Sequence, residues 1–306
     1  MSVLQSMSDA GLAAWKWLEP WFEWESIKAF ANSAFTTSLV GALAGAFAGA
    51  RAAQLIAERG KLRDETSKQI RDVNAAMVLS FTIVNDVLAL KKQHVREMSS
   101  TYNSEVERYK EYKAKRLTGQ IQGNVPYELK LDLRTFPTGI SPIAVLQEIV
   151  FSKTGATGRP LSLASSLSSS LANLNVAIAR RNELIEDFKR DRLPQGANIV
   201  SMYLGLPYEG GHVNQEYGDI VSGIASYTDD AIFFSHLLCQ DLRAHGLKVV
   251  ETHKKLFKDA PLRVNEIDFR KAEEGGLLPA KDDYNTWFEA FVERKHPTQR
   301  WWQSAA

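Results

Sequence analysis

The sequence predicts a mainly all-α protein in which a single-pass membrane helix continues into a cytosolic antiparallel helical bundle or coiled coil, with at most a short strand at 127–134. Three observations predict it. Residues 29–50 carry no charge, apolar residues over much of the remaining chain recur at alternating spacings of four and three, and no proline occurs between Arg51 and Arg116.

Composition bounds the possibilities. The 306 residues are 44% hydrophobic, enough for a sizeable core, and 37 Lys and Arg against 36 Asp and Glu give no global attraction to nucleic acid or to acidic partners. The single cysteine, Cys239, excludes an intrachain disulfide framework. A mean hydropathy of −0.24 excludes a many-pass membrane protein, so membrane contact must come from one segment.

Residues 1–28 form a leader in which Trp15, Trp17, Trp21, Phe22 and Trp24 alternate with Glu19, Pro20, Glu23 and Glu25. Indoles favour the membrane–water interface, and the four tryptophans are read as an interfacial anchor. The leader is acidic and long, unlike the short basic start of a cleavable signal, so the anchor is expected to be retained.

The span is placed at 29–57. As a helix, its 22 uncharged residues, 29–50, measure about 33 Å, the thickness of a hydrocarbon core. Eight alanines and three glycines make it weakly apolar. Ser33, Thr37, Gly41, Gly45, Gly49, Ala53 and Ala57 recur every fourth residue and form one ridge of small side chains. Helix backbones approach closely along such a ridge, so Thr37, Gly41, Gly45, Gly49 and Ala53 are the expected packing residues of a homo-oligomer. Arg51, Arg59, Lys61 and Arg63 follow, joined by Lys68 and Arg71, and are placed to contact lipid head groups. This bias puts the N-terminus outside an inner membrane and the bulk of the chain in the cytoplasm. The order of Trp-rich leader, small-residue span and basic flank resembles bacterial single-pass proteins, a likeness confined to the first third that implies no activity.

Residues 58–118 are expected to form a stalk helix, bending at Gly60, with Ile70, Val73, Met77, Ser80, Val84 and Val87 on one face and Leu79, Ile83 and Leu90 on another. Two faces call for two neighbours. In 161–258 these are a pair of helices joined through Pro194–Gly211. Leu167, Leu171, Leu174, Ile178, Arg181, Ile185 and Phe188 line the first; Tyr217, Ile220, Ile224, Tyr227, Ala231, Phe234 and Leu238 line the second. Between the stalk and this pair, 119–160 is loop-rich. Tyr127, Leu129, Leu131 and Leu133 alternate with charged residues as in a half-buried strand. Ser141 and Pro142 open a short helix to Phe151, and Gly155–Pro160 makes a turn. In 259–306 a loop through Gly275, Gly276 and Pro279 precedes a helix capped by Asp282, and Trp301 and Trp302 follow.

No residue pattern assigns a catalytic, cofactor or metal site. His236, Cys239, His245 and His253 have poor metal spacing. Lys153, Gly155, Gly158 and Arg159 have their lysine before rather than after the glycines, the wrong order for a P-loop. Asp229 with Asp230, and Glu273 with Glu274, point about 100° apart on a helix and are expected to be solvated. The serines between Ser162 and Ser170 lack a paired histidine. Lys91–Arg116 mixes cations with Tyr102, Tyr109 and Tyr112, but interleaved glutamates favour a solvated helix over a nucleic-acid surface. The expected protein is therefore a self-associating, membrane-anchored sensor, scaffold or membrane-perturbing effector with a cytosolic protein partner. A tethered enzyme with a site in the 127–160 or 207–215 loops is the alternative, and a weak nucleic-acid-binding module through 91–116 is a third.

Overall fold

The computed structural model describes residues 34–139, 141–259 and 262–291, and it is 74% helical with no strands among them. It divides into two units, residues 1–65 and 66–306. The tryptophans of the expected interfacial anchor, the first residues of the expected span and Trp301 and Trp302 lie outside the described residues, and side chains are described from Ser38 onward.

In the first unit, helix α1 (Ala34–Leu90) begins, and every described side chain from Ser38 to Glu65 is exposed. The helix runs through Gly60 without interruption, as its continuation into the stalk requires.

The second unit is the expected helical bundle. It contains the rest of α1, a single π-helical turn (Lys91–Val95) and α2 (Arg96–Leu117), then α3 (Ile143–Ser152), α4 (Arg159–Lys189), α5 (Ile199–Leu204), α6 (Glu216–Phe257), α7 (Arg270–Glu274) and α8 (Asn285–Glu289). Arg159 near the start of α4 pairs with Asp241 in the second half of α6, and Arg180 late in α4 pairs with Glu216 at the start of α6, so the two helices are antiparallel.

Both stripes face inward. Ile70, Val73, Met77 and Val84 of α1 are at most 5% exposed, as are Leu167, Leu174, Ile178, Ile185 and Phe188 of α4 and Tyr217, Ile224, Ala231 and Leu238 of α6. All of these but Ile70 fall into two cores stacked along the helices. One gathers Met77, Ile83, Leu146, Leu163, Phe234 and Leu242; the other gathers Met98, Phe136, Ile178, Phe188, Tyr203 and Tyr217. Each such side chain removed from water contributes about 1.5–3 kcal/mol, which is why interhelical packing outweighs local propensity here.

The π turn was not foreseen. The stripe through Val84 and Leu88 would place Lys91 toward the core, and there its ammonium meets Asp229 at 2.5 Å and the Leu277 carbonyl at 2.9 Å. Arg96, just beyond the turn, donates to the carbonyls of Gly275 and Gly276.

Four local expectations are corrected. The 127–134 segment is not a strand. Pro142 rather than Ser141 occupies the N-cap of α3, and it offers no side-chain cap. Asp282 does not cap the last helix, because Lys281–Tyr284 form a 3₁₀ turn and α8 starts at Asn285. Asp229 and Asp230 are partnered rather than solvated: Asp229 holds Lys91, and Asp230 accepts from the Tyr284 hydroxyl at 2.9 Å.

Candidate functional site

In the first unit the expected packing glycines face open space: a methyl group built on Gly41, Gly45 or Gly49 meets nothing within 4 Å. Ala53 is likewise exposed, and Thr37 has no described side chain. Leu39, Val40, Leu43 and Phe47 are 46%, 59%, 62% and 69% exposed, and Arg51, Arg59, Lys61 and Arg63 are exposed beyond them. Lys61 approaches Glu65 at 3.8 Å.

Hydropathy alone does not single this segment out. The helical run from Ser38 to Leu117 contains an 18-residue stretch of mean hydropathy 1.7 that is 44% buried. Every described side chain from Ser38 to Glu65 is exposed, so that stretch cannot lie among them; Val73–Leu90, with eight of its eighteen residues buried, matches it. The bundle core is thus as apolar as a membrane span. What distinguishes 38–50 is that its apolar side chains are uncovered.

In the second unit the main polar site is built around residues 127–136. Tyr127, Leu129, Leu131 and Leu133 pack on the second core, which explains their alternation. No neighbouring strand serves their backbone, so side chains from the helices do. Asn182 of α4 donates to the Phe136 carbonyl (2.8 Å) and accepts from the Phe136 N–H (2.9 Å), as a strand neighbour would. Glu105 of α2, only 2% exposed, accepts from the Lys130 N–H at 3.1 Å and from the Tyr127 hydroxyl at 3.2 Å. Arg108 donates to the Glu128 carbonyl at 3.0 Å. Unpaired backbone groups at a half-buried position are costly, and this strap avoids that cost without a sheet.

Arg181, the polar interruption in the α4 stripe, is 0% exposed and anchors the strap. Its Nη1 donates to the Arg134 carbonyl at 2.7 Å, and its guanidinium lies 4.3 Å over the Phe136 ring. Burial pushes the Asp132 carboxyl up, but hydrogen bonds from Arg134 and the charges of Arg134 and Arg181 outweigh it and hold the group below its usual range. Burial raises the neighbouring Tyr203 and Tyr217 hydroxyls, whose rings lie 4.4 Å apart.

A second polar chain ties α1 to α6. His253, 2% exposed, donates from Nε2 to Asp259 at 2.9 Å and shares a 2.7 Å hydrogen bond at Nδ1 with the Thr66 hydroxyl. The order hydroxyl, imidazole, carboxylate is that of a nucleophilic triad. Thr66 is only 7% exposed on an inward helix face, so a substrate has no approach to its oxygen and the chain acts as a clamp.

The remaining sequence candidates are dispersed. His236 contacts Gln240 (3.1 Å) and Phe269, and burial lowers its pKa. His245 donates to the Thr154 carbonyl at 2.9 Å. Burial pushes the Cys239 thiol up to about 11. Among the described residues no group of three His, Cys, Asp or Glu side chains is placed to hold a metal ion. Lys153 pairs with Glu148 at 2.7 Å and Arg159 with Asp241, so both cations of the supposed phosphate loop are taken. Lys110 pairs with Glu107 at 2.7 Å and Arg108 with Glu105, the intrahelical pattern expected of α2.

Two cavities have chemical content. One of about 700 Å³ is lined by His236, Cys239, Arg243, Asp268 and Arg270, and its charges are largely paired with one another: Arg243 with Glu266 at 3.1 Å, Arg270 with Asp268 at 2.6 Å. The other, about 960 Å³, brings Tyr127 and Pro207 from the two loop regions together with the C-terminal half of α2. His212 is not among its lining residues. Sequence reading missed this convergence, although Tyr109, Tyr112, Lys113 and Arg116 sit three or four residues apart on one helix face.

Fold and sites define a mainly all-α protein in which a long N-terminal helix precedes a helical bundle. Comparison with protein-family models, with curated proteins and with solved structures returns no match.

Proposed function

We propose that this protein is a membrane-anchored, self-associating helical protein whose bundle receives a cytosolic partner or signal. The observation that carries the reading is the exposure of Leu39, Val40, Leu43 and Phe47 on a helix without charge from Ala34 to Ala50. Full burial of such a side chain is worth about 1.5–3 kcal/mol, and the exposed half to two-thirds of each leaves a corresponding part of that gain for lipid or a second apolar helix to recover. The open row of Gly41, Gly45 and Gly49 supports pairing between copies, because small residues let backbones come close where lipid supplies no hydrophobic drive. Arg51, Arg59, Lys61 and Arg63 support a cytoplasmic C-terminal side in contact with anionic head groups.

The test uses the full-length chain. Broken cells are centrifuged at high speed, and the pellet is washed with carbonate and then detergent. The protein is expected in the pellet after carbonate and in solution after detergent; recovery in the first supernatant refutes the anchor. Self-association is read separately from the detergent-corrected mass. Replacing Gly41, Gly45 and Gly49 by leucine is expected to reduce it to that of one chain, and an unchanged oligomer refutes the ridge.

A further inference from the structure

We infer that the 960 Å³ cavity at the α2 end of the bundle is a binding site for a nucleoside phosphate. The inference rests on reading the bundle as the receiving part of the protein and is independent of the anchor.

Three tyrosines form one wall. The rings of Tyr109 and Tyr127 lie 5.2 Å apart at 89°, Tyr112 and Tyr127 5.2 Å apart at 54°, and Tyr109 and Tyr112 6.1 Å apart at 36°. None is stacked face to face on another, and the guanidiniums of Arg116 and Arg108 lie 5.9 Å and 5.6 Å over the Tyr112 and Tyr127 rings, so the three make an aromatic corner edged by cations. A planar base fits such a corner because every base has a π-face. The tyrosines are held in place: the Tyr112 hydroxyl donates to the Val125 carbonyl at 2.6 Å and accepts from Arg116 at 3.1 Å, and the Tyr127 hydroxyl is fixed on buried Glu105.

Charge supplies the other half of the recognition. Lys113 and Arg116 line the cavity one turn apart, on the face that carries Tyr109 and Tyr112. Lys113 is exposed and enters no ion pair among the described residues, and Asp191 is the one acid in the lining. An aromatic corner that shares its cavity with Lys113 and Arg116 suits a flat aromatic ligand bearing an anion. The volume falls in the range of small-molecule sites, about 300–1,000 Å³. A free nucleotide and the end of a single strand present the same chemistry.

Binding is measured by calorimetry on full-length protein in detergent, with ATP, GTP, adenosine, tripolyphosphate and a short single-stranded oligonucleotide as probes. A nucleotide is expected to bind with at least tenfold higher affinity than adenosine or tripolyphosphate. Preference for ATP or GTP assigns a free nucleotide; preference for the oligonucleotide assigns a strand end. Lys113→Glu is expected to weaken nucleotide binding about tenfold, and Tyr109→Leu to erase the advantage of nucleotide over tripolyphosphate. Lys113 is exposed, so its variant is expected to fold, which far-UV circular dichroism checks, and the test stays decisive. Absence of nucleotide binding at millimolar concentration, or binding that neither substitution changes, overturns the inference. The anchor is judged by fractionation and stands or falls separately.

Discussion

Arg181 Nη2 lies 3.8 Å from Asp132 Oδ2, and both side chains are inside the bundle, 0% and 7% exposed. A chain segment without regular structure is thereby fastened to the last third of a core helix. The pair is also why an arginine interrupts the α4 stripe: its charge has an acid to meet and two carbonyls to serve.

Removing one partner of a buried pair costs about 3–5 kcal/mol. Arg181→Met is expected to fall at the lower end, because Arg134 still binds Asp132 through Nε at 2.9 Å. Urea unfolding measures the loss. Trypsin provides a local readout: cleavage after Lys130 is expected to accelerate in the variant.

Asp132 makes stability acid-sensitive. Its carboxyl titrates below the ordinary 3.8 in the folded protein, so the folded state favours the charged form. The contribution is fully present above 3.8 and is lost as pH falls through the lower folded value. The stability difference between parent and Asp132→Asn is expected to be constant from pH 7 to about 5 and to shrink toward pH 3. Parallel urea curves at these pH values check it.

Cys239 is 2% exposed, and burial pushes its thiol up to about 11. The thiolate is the reactive form, so iodoacetamide at pH 8 is expected to modify the native protein far more slowly than the urea-unfolded one. The sign for stability is opposite to that of Asp132: the contribution is complete below the ordinary 9.0 and lost as pH rises through about 11.

Gly246 lies where α6 meets α1 and the segment before α7. A Cβ there falls 3.0 Å from Val73 Cγ1 and 3.0 Å from Val264 Cγ2. Gly246→Val adds two further carbons to this contact and is expected to cost about 1–3 kcal/mol by overpacking. The thermal unfolding midpoint reports it.

His253 is predicted to be structural. His253→Leu leaves the Thr66 hydroxyl and the Asp259 carboxylate without their imidazole partner, at a cost of about 1–3 kcal/mol. Amide exchange in the last turns of α6 is expected to quicken while exchange near Tyr217 is unchanged. A uniform acceleration along α6 would contradict a local clamp.

The long helices were legible in the residues because burial against two neighbours imposes a spacing of three and four that survives without any knowledge of the partners. Phe188, Ile224 and Leu238 are buried as their positions require. The alternation from Tyr127 to Leu133 was legible too, but alternation reports only that one side is covered. The groups that replace a neighbouring strand, Glu105 and Asn182, are remote in sequence and carry no signal of that role. Helix α5 carries a sequence-level start signal in Asn198 and Ser201: Asn198 accepts from the Ser201 N–H at 2.9 Å, and the Ser201 hydroxyl accepts from the Asn198 N–H at 3.0 Å.

By itself the sequence determined the helical class, the faces that pair and the uncharged small-residue stretch, since each depends on residues within a few turns of one another. Only tertiary structure decided that Arg181 meets Asp132, that His253 joins Thr66 to Asp259, and that Tyr127 closes a cavity with Tyr109. These contacts unite residues whose separation along the chain says nothing about their distance in space, and packing of the helices chooses them.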